Sequence, residues 1–188
     1  ERRSARSPGR EEGAPAGEAG VKTLILGLGN TILRDDGIGV YAVRALAERM
    51  DGEADCRESE CAGLDLVELL RGYERAIIID SIQLEGEDPG TVFRLLPDDL
   101  RITARLASLH DIDLATALAL GRRLGLAMPE DVTVYAVQVA DALTLGEECT
   151  AAVAEALPGL VEEIAGDVSG RPAARISRPL SERKLRNA

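Results

Sequence analysis

Residues 21–39 read VKTLILGLGNTILRDDGIG and contain the transition that decides the fold. Their first part, Val21–Leu28, is a short apolar run that leads into a glycine-rich loop, as is typical of a strand buried on both faces of a sheet. From Asp36 to Met50 apolar residues recur at helical spacing, and Asp51-Gly52 ends that pattern. A buried strand, a glycine-rich loop and a helix in this order indicate an α/β protein.

The same alternation of strand and helix continues along the chain. Further strands are predicted at Ala54–Glu58, Ala76–Ile79, Thr91–Leu96 and Val132–Val139, and further helices at Leu64–Arg71, Asp111–Leu124 and Glu147–Ile164. This alternation predicts a single three-layer domain, a twisted, mostly parallel sheet with helices on both faces. Because such sheets carry their functional site outside the carboxyl ends of the strands, we expect the site in the loops after Leu28, Ile79 and Val139.

The two ends of the chain differ in composition from its middle. Residues 1–20 are rich in Gly, Pro, Ala and charged side chains and lack an apolar period, which predicts a disordered N-terminal tail. Residues 166–188 share that character and carry the basic side chains Arg171, Arg175, Arg178, Arg183, Lys184 and Arg186. We therefore predict a flexible basic C-terminal tail and place the folded α/β domain at residues 21–165.

Composition excludes several classes of function. The formal net charge is −11, and aromatic residues make up 2% of the chain. A negative surface repels phosphate backbones and anionic lipid, so neither nucleic acid nor a membrane is an expected partner. Three cysteines are too few for a disulfide framework, no apolar run approaches the ~20 residues of a membrane span, and no N-terminal signal region is evident. We therefore expect a cytoplasmic protein.

The glycines after the first strand could belong to a dinucleotide site. The third glycine of the Gly-x-Gly-x-x-Gly fingerprint would fall at Ile32, however, and no Gly-Lys-Ser or Gly-Lys-Thr of a P-loop occurs. Asp35 and Asp36 stand where the next helix begins, and two carboxylates there would repel a pyrophosphate. A nucleotide-binding domain is therefore disfavoured. A structural interpretation stays open, in which Asp35 caps the helix and Asp36 occupies its first turn.

Asp80 and His110 are the other candidate site residues. Asp80 directly follows the predicted strand Ala76–Ile79, and His110, the only histidine, precedes the helix predicted from Asp111. Each alone is typical of a structural hydrogen-bonding group. Together with the acidic loop they supply one imidazole and two carboxylates, an open three-ligand set for a divalent transition metal. A single histidine excludes a three-histidine zinc site and a His-Glu-x-x-His motif.

Four motifs carry a resemblance to a known family: Gly27-Leu28-Gly29-Asn30, Asp35–Val40 (DDGIGV), Ile78-Ile79-Asp80 and Ser108-Leu109-His110. In order and spacing, across residues 21–165, the chain resembles the hydrogenase maturation proteases. The resemblance implies a five-stranded twisted sheet between helices. It also implies a trio that binds metal and carries out catalysis, which transfers to Asp36, Asp80 and His110. We further predict that Asp35 caps the helix and tunes Asp36.

The resemblance also implies a reaction. Members of this family are endopeptidases that remove a C-terminal extension from the large subunit of a nickel–iron hydrogenase once nickel has been inserted. The expected partner is that large-subunit precursor, and the expected metal is nickel supplied by the substrate, for which another divalent transition metal can substitute. We expect a monomer. The alternative is a non-catalytic metal-binding or chaperone-like protein that holds the nickel-loaded precursor without cutting it.

The substrate is expected to contact loop residues near the trio. Where many family members have a Gly-Gly-Thr type segment, this chain has Ser59-Glu60-Cys61, which leaves the identity of the partner hydrogenase open. Cys61 is either a substrate-loop residue or a small apolar filler. Because glycine has no side chain, we expect the glycines of this loop, Gly39 among them, to let the backbone approach metal and substrate closely. The predicted substrate-loop residues are Gly27, Gly29, Asn30, Asp35, Gly37, Cys61 and Gly63.

Overall fold

The computed structural model describes residues 21–50, 52–60, 63–95 and 114–179. Within them, five strands form one sheet in the order β2-β1-β3-β5-β4, in which β4 is antiparallel to β5 and the other pairs are parallel. The predicted α/β class with a mostly parallel five-stranded sheet is confirmed. The strands are β1 (Thr23–Leu28), β2 (Asp55–Ser59), β3 (Arg75–Ile82), β4 (Val92–Leu95) and β5 (Asp131–Gln138), and the helices are α1 (Ile38–Met50), α2 (Asp65–Leu70), α3 (Leu114–Arg123) and α4 (Ala151–Ser169).

Helices cover both faces of the sheet. Side chains of α1 and α4 form one apolar core with Ile77 and Ile79 of β3, and side chains of α2 and α3 form the other core with Ile78 and Ile82. Because successive strand residues point to opposite faces, an uninterrupted apolar strand contributes to both cores. Within the part of the chain described, no helix is both long and apolar enough to cross a membrane.

The strand order reverses at β1. From β1 the chain passes through α1 to β2 on one side, and from β2 it passes through α2 to β3 on the other side of β1. The crevice at the carboxyl ends of β1 and β3 is therefore a topological switch point, where sheets of this kind bind ligands. The loop after β1, the end of β3 and the loop after β5 are hydrogen-bonded to one another at this edge.

Two element boundaries at this edge differ from the prediction. The first helix begins at Ile38 and not at Asp36, because Arg34–Gly37 forms a 3-10 helix before it. Strand β3 does not end before Asp80 but continues to Ile82, because its last three residues pair with β5. Asp80 is therefore part of a strand, which fixes its backbone more firmly than a loop would.

Two helix boundaries differ or fall outside the described residues. The last helix spans Ala151–Ser169, whereas the prediction was Glu147–Ile164. The helix predicted at Asp111–Leu124 is observed from Leu114, and the start of the predicted range lies outside the described residues. The folded domain thus extends beyond residue 165, where the sequence analysis places its end.

Gly39 allows α1 to pack directly on the sheet. A Cβ at Gly39 would lie 2.2 Å from the carbonyl oxygen of Leu28 and 2.4 Å from that of Ile79, so no larger residue fits between the helix and these two strands. Gly29 has φ +135°, and a Cβ there would lie 1.9 Å from the carbonyl oxygen of Asp36. The glycines therefore bring Asp36 against the ends of β1 and β3.

The C-terminal segment, residues 171–179, folds back onto the edge of the sheet. Arg178 and Phe93 form a parallel bridge. The N–H of Arg178 donates to the carbonyl of Val92, and its carbonyl accepts from the N–H of Arg94, both at 3.0 Å. The free edge of β4 is thus covered by the chain's own C-terminal segment, part of the stretch that the sequence analysis assigns to a flexible tail.

Glu163 of α4 anchors this segment. Its side chain is buried, and its Oε2 accepts hydrogen bonds from the N–H groups of Ile176 and Ser177, each at 2.8 Å. Its Oε1 accepts from the Ser177 hydroxyl. A buried carboxylate that satisfies three donors holds the segment in place, since each donor would otherwise lack a partner away from water.

Replacing Glu163 with alanine is expected to release the C-terminal segment while the rest of the domain stays folded. The substitution removes the acceptor of three hydrogen bonds, so local opening should become roughly tenfold to a hundredfold easier. Native-state trypsin cleavage after Arg175, followed by mass spectrometry, measures this opening. Glu163→Gln is the control, because its carbonyl can serve both N–H groups and its amide can donate to Ser177. Equal cleavage of the two variants would contradict the anchor.

Candidate active site

Asp36 is a buried carboxylate at the carboxyl end of β1. It lies in the 3-10 helix before α1 and is 0% exposed. Its Oδ2 accepts a hydrogen bond from the N–H of Asn30 at 2.8 Å, and its Oδ1 accepts from the hydroxyl of Ser81 at 2.9 Å. One oxygen is therefore oriented by the loop after β1 and the other by the end of β3, so the carboxylate is fixed at the switch point.

Asp80, within β3, accepts a hydrogen bond from the same serine, Ser81. Its side chain is partly exposed, and its Oδ1 accepts a hydrogen bond from the N–H of Ser81 at 2.8 Å. Strand alternation places Asp80 on the α2–α3 face and Ser81 on the α1–α4 face. The hydroxyl and the N–H of Ser81 thus bind one carboxylate each, and the two acids approach the edge of the sheet from opposite faces.

His110, the third member of the predicted trio, lies outside the described residues. Four residues further on, α3 begins at Leu114. Because α3 ends shortly before β5 starts at the amino edge of the sheet, its first residue lies toward the carboxyl edge. Among residues 21–50, 52–60, 63–95 and 114–179 no group of three His, Cys, Asp or Glu side chains is arranged to hold a metal ion. The described part of the site therefore supplies two carboxylates.

Asp35 does not cap α1, so that prediction is wrong. Its buried carboxylate accepts hydrogen bonds from the N–H groups of Ala140 and Asp141 at 3.0 Å and from the Thr150 hydroxyl at 2.9 Å. Its other oxygen accepts from the N–H of Thr150 at 2.6 Å, immediately before α4. Asp35 therefore ties the loop after β1 to the loop after β5, and both of its oxygens are occupied by these donors. Its predicted contact with a substrate stays a prediction.

Backbone hydrogen bonds join the same two loops into a single rim, residues 30–36 and 139–150. Leu33 and Gly146 form a parallel bridge, in which Gly146 N–H donates to the carbonyl of Ile32 and its carbonyl accepts from Arg34 N–H. The hydroxyl of Tyr41 in α1 lies within hydrogen-bond distance of a backbone carbonyl in each loop, that of Thr31 and that of Glu147. The rim is therefore held from within the fold rather than free to adapt.

The predicted substrate-loop residues divide into buried and partly exposed groups. Gly27, Gly29 and Gly37 are buried. Gly27 lets α1 pack closely on β1, whereas a Cβ at Gly29 or Gly37 would meet Asp36 or Tyr41. Asn30 and Gly63 are partly exposed, so their contact with a substrate stays a prediction. Cys61 lies outside the described residues.

A cavity of about 240 Å³ opens beside the rim, between α1, the loop after β1 and the end of β2. Arg44 donates two hydrogen bonds to the carboxylate of Glu58, at 2.9 and 2.8 Å, and this ion pair forms part of the wall. Ser59 and Glu60, two of the three residues that depart from the Gly-Gly-Thr pattern, also line the cavity. A substrate side chain that enters here would meet a mixed wall with two acids and one arginine.

Cys149 is expected to react slowly with alkylating reagents. Burial, together with the negative charge of Asp35, raises the pKa of its thiol from 9.0 to about 11. Because only the thiolate reacts, alkylation at pH 8 should be roughly a hundredfold slower than that of an unperturbed thiol and should accelerate as the pH approaches 11. Iodoacetamide labelling followed by peptide mass spectrometry measures the rate. Equal rates in native and urea-unfolded protein at pH 8 would contradict the shift.

Two residues of the site, Ser81 and Thr150, could not be identified from the sequence. Ser81 binds both carboxylates, and its signal was a polar residue inside an otherwise apolar strand, next to Asp80. Thr150 binds Asp35, and its signal was a threonine directly before a helical pattern. Neither pattern indicates which residue the side chain binds, because Asp36 and Asp35 are distant from Ser81 and Thr150 in the sequence.

Comparison with known proteins points to one family. Residues 40–167 match the family model described as hydrogenase maturation protease. The hydrogenase expression/formation protein HupD of Rhizobium leguminosarum bv. viciae is 30% identical over 145 residues, which cover 75% of this chain and 71% of that protein. The hydrogenase 2 maturation protease of Escherichia coli is 29% identical over 120 residues, 62% of this chain and 73% of that protein.

A solved structure shares the architecture. The hydrogenase maturating endopeptidase HybD from E. coli superimposes with a TM-score of 0.69 at 27% sequence identity, over 79% of this chain and 94% of HybD. The similarity therefore extends over nearly the whole of that neighbour.

Proposed function

The chain belongs to the hydrogenase maturation protease family, and on that premise we propose that it removes the C-terminal extension of a nickel-loaded nickel–iron hydrogenase large-subunit precursor. Members of this family are endopeptidases, and this chain is one of them. One observation carries the proposal: at the switch point of the sheet, Ser81 donates hydrogen bonds to two acids, from its hydroxyl to Asp36 and from its N–H to Asp80.

We assign recognition of the substrate's nickel to Asp36, Asp80 and His110. Two carboxylates and one imidazole are a donor set suited to divalent transition metals. Hydrogen bonds from Asn30 and Ser81 fix the orientation of the carboxylates, which is what a tight metal site requires of the groups around its ligands. His110 precedes α3, which covers the face of the sheet on which Asp80 lies.

The chain's own residues have separate tasks in this proposal. Asp36 is buried and oriented before substrate arrives, so little ordering is needed on binding. Asp80 is partly exposed and meets the incoming precursor. The nickel carried by the substrate, once held between these acids and His110, would draw the scissile carbonyl toward the edge of the sheet and polarise it for attack by water.

Co-expression with the large subunit tests the function. We expect intact-mass analysis to show loss of the C-terminal extension only when both this enzyme and nickel are present. A stable complex with the precursor, without any loss of mass, would contradict the peptidase and favour a protein that holds the precursor. Cleavage that proceeds equally well without nickel would contradict the role of the metal.

We also propose that the protein acts in the cytoplasm. Cys56 and Cys149, the cysteines in the described part of the chain, are both free thiols. Free thiols suit a reducing compartment, in which disulfides are rare.

A further inference from the structure

The rim carries three exposed aliphatic side chains. Ile32 is 54% exposed, Leu143 is 68% exposed and Leu145 is 75% exposed. The parallel bridge between Leu33 and Gly146 places the residues that precede them, Ile32 and Leu145, side by side. The two loops therefore bring together apolar side chains that are more than a hundred residues apart in the sequence.

The loop that presents the two leucines is ordered by hydrogen bonds along its length. Asp35 binds its start and its end, at Ala140 and Thr150. Inside it, Oδ1 of Asp141 accepts from the N–H groups of Leu143 and Thr144, at 3.3 and 3.0 Å. A loop backbone ordered in this way loses little freedom when a partner covers it, so the two leucines are presented as anchors at low cost.

We propose that Ile32, Leu143 and Leu145 form a docking face for the folded part of the large-subunit precursor. The precursor would contact this face through an apolar surface of its own that has basic residues at its border. This inference rests on the proposed function. The face adjoins the proposed site along the chain, because Ile32 lies in the same loop as Asp36, and the N–H of Asp36 donates to the carbonyl of Leu33 in that loop. A precursor seated on this face would have its C-terminal extension within reach of the two acids.

Charge around the face determines the chemistry of the partner. Glu147 and Glu148 are exposed in the same loop, and Asp141 is paired with Arg34 at 3.6 Å. Three carboxylates and one guanidinium leave the border negative, so a complementary surface carries lysine or arginine around an apolar centre. Three side chains are too few to bury the roughly 800 Å² per partner of a stable dimer, which favours a transient substrate over a second copy of the chain.

The test compares the double variant Leu143→Ser/Leu145→Ser with Leu124→Ser in the full-length enzyme. Leu124 is 63% exposed and lies just after α3, near the opposite edge of the sheet. With purified nickel-loaded precursor, the double variant should raise KM by roughly tenfold or more and leave kcat unchanged, since docking contacts are made before the chemical step. Leu124→Ser should change neither parameter.

Three outcomes would overturn the docking face. The first is an unchanged KM in the double variant, and the second is an equal rise of KM in Leu124→Ser. The third is a wild-type enzyme that sediments as a dimer while the double variant sediments as a monomer. If wild-type enzyme leaves the precursor uncut, the proposed function fails, and retention of precursor on the immobilised proteins then decides the inference. Weaker retention by the double variant supports the docking face, and equal retention, or none by the wild type, refutes it.

Discussion

Replacing Asp80 with asparagine is expected to slow cleavage of the nickel-loaded precursor by roughly a hundredfold or more, with the fold retained. The amide is a neutral and poorer metal ligand than the carboxylate, so the precursor's nickel would no longer be held against the edge of the sheet. The amide oxygen can still accept the hydrogen bond from the N–H of Ser81. Single-turnover cleavage followed by intact mass spectrometry measures the effect.

Asp131→Asn provides the matched control for this prediction. Asp131 lies at the start of β5, at the opposite edge of the sheet, and its side chain is 62% exposed in a surface ion pair with Arg75. The same chemical change there should leave the cleavage rate within about twofold of the wild type. If the Asp80→Asn variant cleaved the precursor at the wild-type rate, Asp80 would have no role in the mechanism.

Replacing Asp35 with asparagine is expected to destabilise the domain by roughly 3 kcal/mol, which would lower Tm by about 6–12 °C. One oxygen of Asp35 faces the N–H of Thr150, and the other faces the N–H groups of Ala140 and Asp141. Both oxygens act as acceptors, so in either orientation the amide group of asparagine would point at a backbone N–H donor. Urea unfolding monitored by circular dichroism measures the loss.

Asp36→Asn is the control, because it makes the same change one residue further along. Its amide oxygen can accept from the N–H of Asn30, and its amide group can donate to the Ser81 hydroxyl, which is free to turn. We expect it to lose activity like Asp80→Asn and to be much more stable than Asp35→Asn. Equal destabilisation by the two variants would contradict the distinct roles of these neighbouring acids.

The fold could be predicted because its main signals are local. The apolar runs that became β1, β3 and β5 and the helical spacing that became α1 are visible in short windows of sequence. Boundaries set by distant partners could not be predicted in this way. Strand β3 runs past Asp80 because of its pairing with β5, and the C-terminal segment is ordered because Glu163 binds it.

The candidate site was predictable in its composition but only partly in its roles. The rule that parallel sheets bind ligands at the carboxyl ends of their strands, together with the family resemblance, located Asp36 and Asp80 at one edge. Two adjacent acids, Asp35 and Asp36, look alike in the sequence. Their roles differ because Asp35 faces the loop after β5, while Asp36 faces Ser81, and neither partner is near them in the chain.

Both outer edges of the sheet are protected against association with other chains. An unpaired edge strand offers its backbone groups as a template for aggregation, but those of β4 at Val92 and Arg94 are already bonded to Arg178. At the far edge, β2 carries Asp55, Arg57 and Glu58 within five residues, and such charge discourages strand addition. A chain shortened before Arg178 would leave one of these edges bare, so truncation at the C-terminus should convert a well-behaved protein into one that precipitates as its concentration rises.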